Sequence, residues 1–177
     1  MKKLIFSAFV LLTITAPNYT HAEITVKERT TMSVPQAEST APDFPGLKEN
    51  KGKNIVLYFY PKDDTPGCTV EACALRDSYT EIGKLSAVIY GVSPDSAASH
   101  GKFISKYKLP FPLIPDEDKK ICQAYGVWVE KSMYGKKYMG VARTTFIIDK
   151  NGKIAKIFEK VKPEGHNQEI IAALKNL

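Results

Sequence analysis

Between Asn54 and Pro61 the chain runs Ile-Val-Leu-Tyr-Phe-Tyr without a polar residue. An apolar run of that length without alternation reads as a strand buried on both faces, and such a strand needs a sheet covered by further layers on each side. The following pattern supplies those layers. Ala72, Leu75, Tyr79 and Ile82 recur at spacings of three, four and three, which predicts one helix from the turn after the first strand to Gly83. Ala87 to Val92 reads as a second buried strand. Ser96 to Lys108 reads as a helix stopped by Pro110, with Phe103, Ile104 and Tyr107 inward. A short helix over Lys119 to Tyr125 and a strand near Val127 to Glu130 come next. Thr145 to Asp149 and Ile154 to Phe158 are strands joined around Asn151-Gly152, a strong hairpin signal. A last helix, Asn167 to Lys175, carries Ile170, Ile171 and Leu174. The order β-α-β and then β-β-α describes an α/β fold, a mixed central sheet with helices on both faces.

The thioredoxin-like sandwich fits that order. It is expected over residues 41–177, which form one domain of ordinary size. Residues 1–22 are set apart: Lys2 and Lys3 precede the apolar stretch Leu4 to Ile14, and Thr20-His21-Ala22 offers small residues where a signal peptidase reads them. That stretch is short of the ~20 residues that span a bilayer. A cleaved signal is therefore expected in preference to a membrane anchor or a buried N-terminal strand, with export to a periplasm-like compartment and no stable membrane association. Residues 23–40 are polar and irregular, a loose leader or a weak edge strand. Losing Lys2 and Lys3 takes the formal charge from +6 to +4. The remaining lysines are scattered singly and in pairs, with no basic stripe of the kind that binds nucleic acid. Three cysteines, Cys68, Cys73 and Cys122, are too few for a disulfide scaffold, and the odd count leaves at least one thiol free, paired between chains or in turnover.

Chemistry concentrates in Tyr58 to Arg76, YFYPKDDTPGCTVEACALR. Thr65 is a good N-cap and Pro66 suits the first helical position, so Cys68 falls in the first turn of a helix. Unpaired backbone N–H groups and the positive end of the helix dipole favour an anion there, and the thiolate is the reactive form of cysteine. By itself this also fits a small buried residue in a turn. Cys73 shifts the balance. Five positions along one helix separate Cα atoms by roughly 8–9 Å, whereas a disulfide needs them within ~7 Å. The pair cannot bond while the helix is intact, which suits a redox couple better than a structural staple. No cluster of histidines or further cysteines suggests a metal site.

Pro61-x-x-x-Thr65-x-x-Cys68 resembles the active-site motif of the peroxiredoxins, and Cys73 at this spacing resembles the Q-type branch, or bacterioferritin comigratory proteins. The likeness continues through Gly91-Val92-Ser93-Pro94-Asp95, Leu109-Pro110-Phe111-Pro112-Leu113, Ala124-Tyr125-Gly126-Val127-Trp128 and Arg143-Thr144-Thr145-Phe146. It implies a peroxidase that reduces hydrogen peroxide and organic hydroperoxides, with Cys68 as the peroxidatic and Cys73 as the resolving cysteine. Thr65 would bond the peroxide oxygens, Arg143 would hold the thiolate, and Pro61 would shield the pocket. A thioredoxin-like dithiol protein would reduce the disulfide, no metal, haem or flavin would be needed, and a monomer is expected. The rivals are a disulfide oxidoreductase, which should carry C-x-x-C, and a non-enzymatic redox sensor, which would not turn over. Only Pro45 to Asn54 joins the Ala-Pro-Asp-Phe stretch to the first core strand, where the family usually has an extra hairpin. Cys122 reads as a buried spectator, His100 and His166 as helix residues without evident partners, and Trp128 as core or pocket rim.

Overall fold

The structure, a computed structural model, describes residues 34–177. The expected signal at 1–22 and most of the irregular stretch 23–40 lie outside the described residues. Strand β1 (Asn54–Phe59) is buried at every position. Its alternate side chains serve two separate cores: Val56 and Tyr58 join one, and Ile55, Leu57 and Phe59 the other, as the two-residue period of a strand requires. Beside β1 lie β2 (Ala87–Ser93), parallel, and β6 (Thr144–Ile148), antiparallel. The edges are β3 (Leu113–Pro115), parallel to β2, and β7 (Ile154–Glu159), antiparallel to β6, giving the order β3-β2-β1-β6-β7.

Helices α1 (Pro66–Asp77), α2 (Tyr79–Lys84), α3 (Ala97–Tyr107) and α5 (His166–Leu174) send Ala72, Leu75, Ile82, Phe103 and Ile170 into the first core. The short helix α4 (Lys120–Ala124) sends Cys122 into the second, with Phe44 and Tyr125. The α/β, thioredoxin-like architecture with a mixed sheet and helices on both faces is the one the pattern predicts. In β2 the approach is too close for a side chain at Gly91: a Cβ there would lie 2.6 Å from Leu113 and 2.7 Å from the Tyr58 hydroxyl.

Three local features differ from expectation. The single helix predicted to reach Gly83 breaks at Ser78, which takes φ −94° and ψ 1°. The Ser78 hydroxyl there accepts from Asn167 Nδ2 of α5 at 2.8 Å. The break turns Tyr79 outward, 39% exposed, so it leaves the buried stripe. Strand β3 is only three residues long and ends in proline, too little for any periodicity to register. The strand near Val127 to Glu130 is the first arm of a separate hairpin, β4 (Trp128–Met133) with β5 (Lys136–Val141). Both arms are largely solvent-exposed, so neither shows the regular buried alternation of a strand with one face on the core. Residues 38–41 pair along β7: Glu38 N–H donates to the Ile154 carbonyl at 2.8 Å, and Ile154 N–H to the Ser39 carbonyl at 2.9 Å. In place of a hairpin, residues 44–52 form a succession of turns.

Candidate active site

Helix α1 begins where β1 ends its passage through the sheet, and its first turn carries Cys68, 2% exposed. Arg143 enters from the connection just before β6. Its Nη2 lies 3.3 Å from Cys68 Sγ, and its Nη1 donates to Glu71 Oε2. Glu71 is one turn beyond Cys68, hence on the same helix face, and is 1% exposed. Burial pushes its carboxyl up to about 7 despite the opposing charge and hydrogen bond of Arg143. Its second oxygen, Oε1, has no partner, and neither has the buried Tyr58 hydroxyl. Burial works against the charge of Arg143, but Glu71 and the Cys68 sulfur outweigh it and raise the guanidinium's pKa further. A guanidinium bound at one end to a carboxylate and at the other to sulfur is fixed in orientation. It stabilises negative charge on that sulfur in a water-poor site, where electrostatic interactions are strong.

Thr65 occupies the N-cap position in an extended conformation, φ −89° and ψ 152°. Its hydroxyl does not cap α1; it donates to the Lys62 carbonyl at 3.1 Å. The Thr65 carbonyl accepts the first helical bond, from Thr69 N–H at 2.9 Å. Pro61 is exposed on the rim of a groove shared with Pro94, Trp128, Lys131, Tyr138 and Met139. Lys131 donates from this rim to the Val141 carbonyl at 2.7 Å, and burial and the charge of Arg143 push its pKa down. Cys73 lies half-buried on α1 beside Arg76, whose guanidinium binds Asp77 and the Tyr107 carbonyl. All three thiols are free. With Cys68 and Cys73 on one intact helix, their Cα atoms stand roughly 8–9 Å apart.

The AhpC/TSA family matches residues 36–157. Peroxiredoxin Bcp of Bacillus subtilis is 53% identical over 131 residues, covering 74% of this chain and 83% of that protein. A putative peroxiredoxin bcp of Coxiella burnetii is 50% identical over 128 residues, covering 72% and 85%. The chain belongs to the AhpC/TSA family, among the peroxiredoxins of the Bcp type. It superposes with a TM-score of 0.71 on the bacterioferritin comigratory protein of Xanthomonas campestris, 42% identical over 73% of this chain and 83% of that one. That protein's alkyl peroxide reduction activity was followed in trapped intermediate and ligand complexes. Like the Bcp proteins, this peroxiredoxin is a thiol peroxidase that reduces peroxides.

Of the residues singled out from sequence, the peroxiredoxin fold brings Cys68 and Arg143 into contact and sets Thr65 at the helix start. Pro61 stands at the rim and Cys73 further along the helix. Cys122 is fully buried in the opposite core, and burial, with Asp116 beside it, pushes its thiol far up. The two histidines without evident partners in sequence keep their expected places, on α3 and at the start of α5, and find partners in the fold. His100 is buried against Asp63, 2.9 Å from Nδ1 to Oδ2. His166 is buried with Nε2 2.9 Å from Thr145 Oγ1 and Nδ1 2.8 Å from Glu169. Their partners are distant in sequence or hidden in a helix start, so the sequence gives no sign of them. Glu71 was missed, although a carboxylate three residues after Cys68, on the stripe shared with Ala72 and Leu75, is a signal that can be read. Among the described residues no group of three or more His, Cys, Asp or Glu side chains is arranged to hold a metal ion.

Proposed function

We propose that Cys68 is the nucleophile, Cys73 the resolving thiol, and a thioredoxin-like dithiol protein the reductant. The Cys68 thiolate attacks one peroxide oxygen; the O–O bond breaks, and the other oxygen leaves with a proton as water or alcohol. Cys68 is thereby oxidised to a sulfenic acid. Arg143 stabilises charge on the thiolate and on the leaving oxygen, Thr65 and the first backbone N–H groups of α1 orient the peroxide, and Pro61 limits water at the rim. The Cys73 thiolate then attacks the Cys68 sulfur, forming the disulfide with loss of hydroxide, which leaves as water. Thiol exchange with the external dithiol restores both cysteines. The observation that carries this reading is Arg143 Nη2 at 3.3 Å from Cys68 Sγ in the first turn of α1. Alkyl peroxide reduction by the Xanthomonas relative supports organic hydroperoxides as substrates beside hydrogen peroxide. The leader supports export.

Single-turnover kinetics of cysteine variants test it. Cys68→Ser should consume no peroxide. Cys73→Ser should consume about one equivalent and stall at the sulfenic acid. Cys122→Ser should turn over as the parent does. Loss of turnover in Cys122→Ser equal to that in Cys73→Ser would show that the resolving thiol has been misassigned.

A further inference from the structure

A second buried ionic cluster lies on the loop that carries Pro61 and Thr65. Asp63 and His100 have side chains only 4% and 3% exposed, with Oδ2 and Nδ1 2.9 Å apart. Asp63 also accepts from the Tyr60 hydroxyl and the Ser99 hydroxyl, each at 2.7 Å. Its backbone N–H donates to Asp95 Oδ2 at 2.8 Å, and Ser93 Oγ donates to that same oxygen at 2.7 Å. The end of β1, the turn after β2 and the start of α3 thus meet on one loop residue, Asp63, the first and last through its carboxylate and the turn through its backbone N–H. The next residue, Asp64, takes the left-handed φ of 54° and binds Lys106 Nζ and the Tyr107 hydroxyl of α3, each at 2.6 Å. Two consecutive aspartates therefore grip one helix, and only Thr65, Pro66 and Gly67 separate that grip from Cys68. Pro66 stiffens the link. A shift of the clamp passes to Thr65 and to the first turn of α1.

We propose that His100 is a positioning residue of the peroxidase site: its ion pair with Asp63 fixes the Pro61–Thr65 loop, and so the geometry in which Thr65 and Cys68 meet the peroxide. The proposal rests on Cys68 being the nucleophile. A buried carboxylate is costly unless it is paired and hydrogen-bonded, and removing one partner strands the other. His100 Nε2 is buried with no well-formed hydrogen bond, the Ile114 carbonyl being its polar neighbour, so Asp63, bonded at Nδ1, is the ring's anchor. The charged and titratable groups facing the ring are Asp63 from the loop, Asp95 from the turn after β2 and Tyr60 from the end of β1. Burial opposes its charge, but Asp63, the Ile114 carbonyl and Asp95 hold its pKa above 6.5. Burial likewise opposes the charge of Asp63, but His100, Ser99 and Tyr60 hold its pKa below 3.8. The His100 contribution is whole below pH 6.5 and is lost as pH rises through its raised folded value. The loop loosens on the alkaline side.

The test begins with the wild-type reduced protein and NMR titration of the His100 ring together with the backbone amides of Asp64, Thr65 and Cys68. The amides should shift with the midpoint of His100. In His100→Gln, which retains a donor toward Asp63 but cannot titrate, that coupled step should vanish. The rate constant for sulfenic acid formation should fall about 10- to 100-fold, while alkylation of Cys68 by iodoacetamide, which needs no peroxide geometry, stays at the wild-type rate. Amides indifferent to the His100 midpoint would overturn the proposal, as would peroxide reaction and alkylation falling together. If His100→Gln fails to fold, the wild-type titration decides alone. If the wild-type protein forms no sulfenic acid at Cys68, it is the nucleophile assignment that fails, and the loop titration still reports on the clamp.

Discussion

Glu71 stands between Cys68 and Cys73 in sequence and pairs in the fold with Arg143, the residue whose other guanidinium nitrogen reaches Cys68. Ionised, it holds the guanidinium against the Cys68 sulfur; buried, with Oε1 unpartnered, it resists ionisation. Its folded value of about 7 lies above the ordinary 4.5, so between those limits the folded state holds more protons than the unfolded chain. Stability should therefore fall as pH rises from about 4.5 to 7, while the hold on Arg143 strengthens. Glu71→Gln should flatten that part of the stability profile, read by denaturant unfolding across pH, and should slow sulfenic acid formation at pH 7 by about tenfold or more. An unchanged profile would remove Glu71 from this role. Arg143→Lys keeps the charge but cannot hold carboxylate and sulfur with two forked donors. Its peroxide rate constant in stopped-flow measurements should drop by about 10²–10³, and a rate within a factor of two of the parent would contradict the assignment.

In the proposed mechanism, helix α1 is the element that has to change. It holds both cysteines from Pro66 to Asp77, and the break at Ser78, pinned by Asn167, separates it from α2. Unwinding α1 releases several backbone hydrogen bonds at ~0.5–1.5 kcal/mol each. It also exposes Leu75, worth roughly 1.5–3 kcal/mol, a sizeable part of the ~5–15 kcal/mol stability of a domain. Hydrogen exchange should therefore show protection over residues 69–77 lost in the disulfide form and kept over 79–84. Equal protection in both forms would remove local unwinding from the mechanism. The sequence showed a continuous helix here because Ala72, Leu75 and Ile82 keep their spacing across the break, and only the long-range contact to Asn167 marks Ser78. β1, the Asn151-Gly152 turn and the start of α1 were legible because each rests on a local period or a capping residue. The Glu71–Arg143 and Asp63–His100 pairs were not, since each depends on residues brought together from distant segments, and of the β4–β5 hairpin only the start of the first arm could be read, because exposed arms leave no buried stripe. Thr65, Pro61 and Arg143 were reached by resemblance, and the structure shows that the Thr65 hydroxyl is directed to Lys62 and not to a cap.

For the molecule as a whole, the sheet keeps the third thiol away from the chemistry. Cys68 lies in the core under α1, and Cys122 in the opposite core against Asp116. The leader predicts that the exported protein begins at Glu23-Ile24-Thr25; N-terminal sequencing that finds only an intact Met1 form in the cytosol would overturn export. The measurement that tests the central claim most directly is peptide mass spectrometry of the wild-type reduced protein after one equivalent of peroxide, with remaining thiols alkylated in denaturant. The account predicts a Cys68–Cys73 linked peptide within one chain and alkylated Cys122. A bond to Cys122, or a covalent dimer in place of the internal disulfide, would contradict it.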